Sequence, residues 1–237
     1  MRADHRAAHR AAHRAAQTAA QLGVLLRERF PGRIALVASF GAESAVLLHM
    51  VAAIDRATPV ISLDTGKLFP ETLVYRAALA RRLGLADLRL ARPVPAAVAG
   101  ADPAGTLWRD DPDGCCRLRK VAPLERALEK FDAWISGRKR FHGGARAALP
   151  PIEFGTDWRF TINPLAEWDE ADIAAYFARY DLPPHPLAAA GYRSIGCAPC
   201  TRATRSGEPP RAGRWDGSTK TECGIHAPPP SSERLSA

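Results

Sequence analysis

No cysteine occurs in the first 114 of the 237 residues, and no stretch of the chain approaches eighteen consecutive apolar residues. The second absence argues against a membrane span. The Ala-rich, basic start carries three histidines and lacks a compact apolar segment with a cleavage site, so no secretory signal is expected and the chain reads as cytoplasmic. Walker and dinucleotide-fingerprint spacings are missing, and there is no internal repeat. Finger-type Cys/His spacing and an aromatic–basic stacking platform are also lacking, so nucleic acid is not an expected partner. The formal net charge of +8 is compatible with nucleic acid and equally with small anionic substrates or acidic protein partners, so charge alone decides nothing. Hydrophobic residues at 46% and charged residues at 24% make an ordinary globular mix, long enough for one substantial α/β domain plus a small appendage.

Hydrophobic patterning gives that domain its order. Residues 1–30 read as a helical N-terminal extension, a solvated lead-in with His5, His9 and His13 on one face and Arg6, Arg10 and Arg14 on another. Short apolar strands are expected at Ile34–Ser39, Pro59–Leu63, Leu88–Leu90 and Ala133–Ser136, with helices near 44–54, 70–83, 115–130 and 170–179. Such alternation predicts a mostly parallel sheet flanked by helices. The Pro/Gly/Asp-rich stretch 92–114 reads as an exposed, mobile connection. The α/β domain spans 31–192, and 193–237 forms a loop-rich C-terminal segment with a mobile tail.

Two strand-to-helix junctions suit a nucleotide. In Ser39-Phe40-Gly41-Ala42-Glu43-Ser44, helix-start amides and two hydroxyls can hold an anion, and Gly41 permits close backbone approach. Glu43 opposes phosphate unless it makes another contact. Asp64-Thr65-Gly66, after Leu63, lies where open α/β sheets place ligands. Each junction alone is also an ordinary turn.

The five cysteines carry more information. An odd count with a vicinal pair, Cys115-Cys116, and a CxxC, Cys197–Cys200, does not resemble a secreted disulfide framework. It reads as four thiolates for a metal centre and one left over, Cys223. Adjacent thiolates reach separate corners of an iron–sulfur cubane more readily than one zinc ion, which favours a cluster over zinc; buried or redox-active thiols are the remaining readings. Cys223 lies in Lys220-Thr221-Glu222-Cys223-Gly224-Ile225-His226, among charges that favour thiolate, Glu222 excepted. Basic residues follow both thiol pairs and precede the tail.

Together the motifs SFGAES, LDTGKLFPET (63–72), the vicinal cysteines with Lys120, WISGRKR (134–140), SIGCAPCTR (194–202), RAGRW (211–215) and KTECGIH (220–226) resemble the iron–sulfur branch of the assimilatory adenylyl-sulfate/phosphoadenylyl-sulfate reductase family. The resemblance covers roughly residues 30–226. It implies an adenine-nucleotide-hydrolase-like fold, nucleotide contacts from Ser39–Ser44 and Leu63–Gly66, and one 4Fe–4S cluster per chain on Cys115, Cys116, Cys197 and Cys200. Lys120, Arg211 and Arg214 would face the phosphosulfate, His226 would assist, and Cys223 would be the nucleophile. An oxidoreductase acting through a cysteine S-sulfonate is implied, with adenosine 5′-phosphosulfate as substrate and a thioredoxin or glutaredoxin-like dithiol as reductant. The family includes homo-oligomers. Where it commonly carries a Leu-Arg-Arg-Asp/Glu-Gln-Ser-Pro-Thr-Arg type of run, this chain has Arg138–Arg146, RKRFHGGAR, in which Arg140 and Arg146 are the expected contacts. The alternatives are a reductase preferring or also accepting the 3′-phosphorylated nucleotide, an ATP-dependent tRNA sulfur-transfer enzyme, and a zinc-stabilised nucleic-acid-binding protein.

Overall fold

The computed structural model describes residues 2–227, with side chains from residue 8 onward. The side chains of His5 and Arg6, and the last residues of the C-terminal segment, lie outside the described residues. Six strands form one sheet: β1 (Ile34–Val37), β2 (Val60–Leu63), β3 (Leu88–Ala91), β4 (Ala133–Ser136), β5 (Ile152–Phe154) and β6 (Phe160–Ile162). Their order is β3-β2-β1-β4-β6-β5. Every pair is parallel except β5–β6. The chain walks outward from β1 to β3, then restarts at β4 on the other side of β1. That reversal makes the crevice between β1 and β4 the switch point of the sheet.

Both faces are covered, as short uninterrupted apolar strands require. Ile34, Leu36, Val60 and Ile135 pack with helix α2 (Ser44–Ile54), whose Ala45, Val46, Leu48 and Val51 are almost wholly buried. Helices α3 (Pro70–Leu83) and α8 (Glu170–Arg179) contribute Leu79 and Ile173 to the same face. Ala35, Ile61 and Trp134 point the other way, towards Leu124 and Leu128 of helix α7 (Ala122–Leu128). Asp169 caps α8 through Asp172 N at 2.8 Å, and the Asp172 carboxylate returns to Asp169 N at 3.1 Å.

Helix α1 (Arg2–Val24) is no detached lead-in. Ala11, Ala15, Thr18 and Leu22 form a buried stripe at four- and three-residue spacing, and small alanines let the helix come close to α8. Trp168 Nε1 donates to Thr18 Oγ1 at 3.1 Å, and Arg14 reaches Glu167 O and the Asp172 carboxylate. Stretch 92–114 is exposed, as its composition suggests, but it is largely helical: α4 (Pro95–Ala101), α5 (Leu107–Asp110) and the start of α6 (Pro112–Cys116). Asp102 anchors it, nearly buried and paired with Arg119 at 2.6 Å. The β5–β6 hairpin had no signal in the patterning, because β5 is an outer strand with Ile152 and Phe154 exposed. Among the described residues no helix is long and apolar enough to cross a membrane.

Leu22 is fully buried whereas Val24 is 42% exposed. Leu22→Ala is therefore expected to cost about 3 kcal/mol in a denaturant titration. Val24→Ala should stay within about 0.5 kcal/mol. Equal effects would show that α1 adds nothing to the core.

Candidate active site

At the carboxyl end of β1 the backbone leaves the sheet through Ser39 and Phe40. Phe40 has φ 51° and is fully buried, so its ring packing holds a left-handed backbone that costs about 1–3 kcal/mol in a non-glycine residue. The turn is closed by Gly41 N donating to Ser44 Oγ at 2.9 Å, with Ser39 Oγ 3.3 Å from Ser44 Oγ. A β-carbon at Gly41 would stand 3.3 Å from Ser39 Oγ and 3.4 Å from Ile195 O, so glycine lets the segment before the CxxC pack against the turn. Glu43 faces Lys139 Nζ at 2.7 Å and His142 Nε2 at 3.1 Å. Burial pushes its carboxyl up, but Lys139 and His142 outweigh that and hold it at about 2. These contacts remove the conflict between Glu43 and an anion in the turn.

The loop after β2 is tied to the CxxC. Thr65 Oγ1 lies 3.3 Å from Cys197 Sγ, Ala198 N donates to Lys67 O at 2.8 Å, and Leu68 bridges to Cys197. The segment is a scaffold for the CxxC. Asp64 is taken by Arg76 at 3.6 Å and Arg92 at 3.1 Å. Arg119 Nη1 donates to Thr65 O at 2.9 Å.

The first thiol pair ends α6, which Asp111 caps at Gly114 N at 2.8 Å. Consecutive helical residues point about 100° apart, so Cys115 and Cys116 face different neighbours. Cys115 has Cys197 and Cys200 beside it; Cys116 has Lys120, Cys223 and Cys197. All five cysteines are free, and Cys115, Cys116 and Cys197 are buried. Burial pushes the Cys115, Cys116 and Cys200 thiols up, and neighbouring sulfurs add to the rise. Among the described residues no three Cys, His, Asp or Glu side chains gather closely enough to hold one metal ion. The helix then widens into a π-helical turn, Arg117–Val121, of the kind that often marks functional positions. It sets Lys120 at 8% exposure among the sulfurs. Burial opposes the Lys120 charge, yet Cys197, Cys223 and Cys116 push its pKa above the ordinary value.

The tail completes the cavity. Trp215 N donates to Cys200 O at 3.0 Å and Arg202 N to Gly213 O at 2.9 Å, which seats Arg211–Trp215 beside the CxxC. The Trp215 ring is a platform for cations: Arg214 Cζ at 4.5 Å, Lys220 Nζ at 5.5 Å and Lys120 Nζ at 5.8 Å from its centroid. A β-carbon at Gly196 would overlap the Arg214 guanidinium, so this glycine makes room for it. Among the described residues Arg214 Nε has no hydrogen-bond partner, nor has His226 Nδ1. Burial lowers Arg211 to about 10, Arg146 adding to the effect. His226 stacks on Trp134 at 4.7 Å and 13°, and burial, with Arg138, Arg146 and Arg211 nearby, holds it well below its usual pKa.

One cavity of about 220 Å³ collects these groups. Ser39, Gly41, Glu43, Ser44, Leu63, Thr65, Lys120, Arg146, Cys197, Arg211, Arg214, Cys223 and His226 all line it. Four residues expected at a nucleotide are not among its walls. Phe40 is buried in the core, Asp64 is turned to its arginines, Gly66 lies against Arg119, and Arg140 is drawn to Leu149 O at 2.7 Å and Glu167 at 3.1 Å. Cys115, Cys116 and Cys200 lie outside the cavity lining. Sequence reasoning did not single out Lys139, His142, Arg138 or Trp134. The first three lie in the basic segment after β4, one position or two from the arginines chosen there, and β4 borders the switch point.

Residues 33–203 match the phosphoadenosine phosphosulfate reductase domain family. A relative from Mesorhizobium japonicum named adenosine 5′-phosphosulfate reductase is 54% identical over 200 residues, covering 84% of this chain and 78% of that one. A relative of the same name from Chelativorans sp. is 51% identical over 202 residues, 85% and 82% of the two chains. The crystal structure of phosphoadenylyl-sulfate reductase from Candida auris in a phosphate complex superposes with a TM-score of 0.62 at 28% identity, covering 72% of this chain and 83% of the other.

His226 is buried neutral and takes up a proton freely only when the tail leaves the cavity. Its folded pKa is lowered, so docking is fully favoured above the ordinary value of 6.5 and weakens as pH falls below it. Hydrogen-exchange protection factors of amides 222–226, corrected for intrinsic exchange, should fall between about pH 7 and about pH 5.5. Constant protection across that window would contradict the neutral, docked imidazole.

Proposed function

The chain belongs to the phosphoadenosine phosphosulfate reductase domain family, and from that premise we propose that it reduces adenosine 5′-phosphosulfate to sulfite and AMP through a sulfonate carried on Cys223. The observation that carries this reading is the shared cavity: Cys223 opens into the same space as Lys120, Arg211 and Arg214, below the turn Ser39–Ser44. A thiol surrounded by cations at a switch point is arranged to attack an anionic, nucleotide-linked electrophile.

The turn after β1 would take the nucleotide, with its helix-start amides and the Ser39 and Ser44 hydroxyls towards phosphate. Arg214, whose Nε has no hydrogen-bond partner among the described residues, and Lys120 would offset the charge of the phosphosulfate. The Cys223 thiolate attacks the terminal sulfur; an S–S bond forms, the S–O bond to the phosphate breaks, and AMP leaves with the electron pair. A thiolate of a thioredoxin-type dithiol then attacks Cys223 Sγ and releases sulfite with the bonding pair. The second thiol of the dithiol displaces Cys223, leaving the reductant as a disulfide, two electrons poorer. Linkage to AMP supplies the leaving group that free sulfate lacks.

The residues fit a 4Fe–4S cluster by their donor chemistry. Four soft thiols, drawn from α6 and the CxxC, are free, and their charges act on one another and on Lys120. Cys115, Cys116, Cys197 and Cys200 would hold it, and a cubane's separate corners do not require its ligands to crowd one point as zinc does. Bound there, the cluster would supply a polarising centre near Lys120.

The relatives' names favour the nucleotide without a 3′-phosphate. Anaerobically prepared protein mixed with adenosine 5′-phosphosulfate should release AMP and gain a sulfonate on Cys223, seen by mass spectrometry. Cys223→Ser should keep the iron absorbance and lose the adduct. An adduct that forms equally in that variant would sink the assignment. Catalytic efficiency should favour the substrate lacking the 3′-phosphate; the reverse order would exchange the two substrates without changing the chemistry.

A further inference from the structure

Glu222 has no part in the chemistry above, although it adjoins the attacking residue. Its two carboxylate oxygens accept from Arg146, Oε1 from Nε at 2.6 Å and Oε2 from Nη2 at 2.8 Å. Arg211 Nη2 stands 3.2 Å from Oε2 and donates to Thr221 O at 2.7 Å. One arginine comes from the loop after β4, the other from the segment after the CxxC. The clasp is sheltered, with side-chain exposures of 13% for Arg146, 15% for Arg211 and 31% for Glu222. A bidentate pair so placed is far more effective than an exposed one.

The clasp also has support behind it. Arg146 Nη1 lies 3.4 Å from His142 Nδ1, and His142 Nε2 lies 3.1 Å from Glu43 Oε2. A continuous polar chain thus joins the turn after β1 to the tail. Beyond Cys223 the backbone turns at Gly224, φ 86°, and His226 stacks on Trp134. Cys223 is bracketed by two anchors, one ionic and one aromatic.

We propose that Glu222 is a positioning residue: by clasping Arg146 and Arg211 it holds the tail so that the Cys223 thiol faces the cation-lined cavity. Its effect on turnover rests on the reductase reading; its effect on docking does not. A carboxylate adjacent to the nucleophile and fastened to Arg146 and Arg211 fixes one side of the attack geometry. Release of that clasp also frees the thiol for the external dithiol.

Two readouts on the full-length, cluster-loaded chain test this. Iodoacetamide labelling of Cys223 without nucleotide, located by mass spectrometry, reports docking. Glu222→Gln should speed labelling about tenfold, the loss expected for a charge-assisted pair reduced to a neutral one. In single-turnover sulfonate formation the same variant should lose about tenfold in rate while KM for adenosine 5′-phosphosulfate stays within about twofold. Glu222→Asp, which keeps the charge on a shorter arm, should fall between Gln and wild type in both. Wild-type labelling in Glu222→Gln overturns the proposal, as does an aspartate variant no better than the glutamine one. If wild-type protein forms no sulfonate at all, the reductase reading fails, and the nucleotide-free labelling still decides whether Glu222 holds the tail.

Discussion

Positive charge gathered under the carboxyl edge of the sheet is the constraint on which the architecture depends. Lys120 and Lys139 are 8% and 3% exposed, a depth at which an ammonium persists only among partners. Lys139 finds Glu43, Lys120 finds sulfur, Arg146 and Arg211 find Glu222, and Arg214 lies over Trp215. Except for Arg214 and the adjacent Trp215, each cation and its partner come from separate parts of the chain. Compensating these cations therefore brings together the turn after β1, the π-helical turn, the loop after β4, the CxxC and the tail.

Strand order provides the place where those segments can meet. Because β4 pairs directly with β1, the loops that follow them open side by side. The loop after β2, one strand further out, supports the CxxC through Thr65, Lys67 and Leu68. The site is thus layered: a nucleotide-type turn on one side, sulfurs on the other, and a cation-lined space between them that the tail closes. On the proposed function such layering lets one thiol meet a nucleotide-linked sulfur on one side and an external reductant on the other.

Much of this was legible in the sequence. The β1–turn–α2 unit and the buried strands announce themselves through continuous apolar runs, and the spacing of the cysteines sets them apart from a disulfide framework. What the sequence hid has physical reasons. Apart from Leu22, the α1 stripe is built from alanines and a threonine, which carry little hydrophobic signal, so packing on α8 is what reveals it. Strand β5 is three residues long and outermost, with no inward-facing run to betray it. At Asp64-Thr65-Gly66 a carboxylate and a hydroxyl at a strand end look alike whether they face ligand or protein, so the sequence did not show that Asp64 pairs with arginines while Thr65 lines the cavity. Lys139 and His142 were hidden by Glu43: their partner lies 96 and 99 positions away, a pairing that no local pattern encodes.

Phe40 has a broader consequence. A left-handed residue whose ring is sealed in the core cannot relax without opening that core. The turn it shapes is therefore cast when the chain folds and waits, like a mould, for whatever it receives. Little ordering entropy remains to be lost on ligand arrival. A ligand seated at this corner would meet a fixed shape rather than one it could mould.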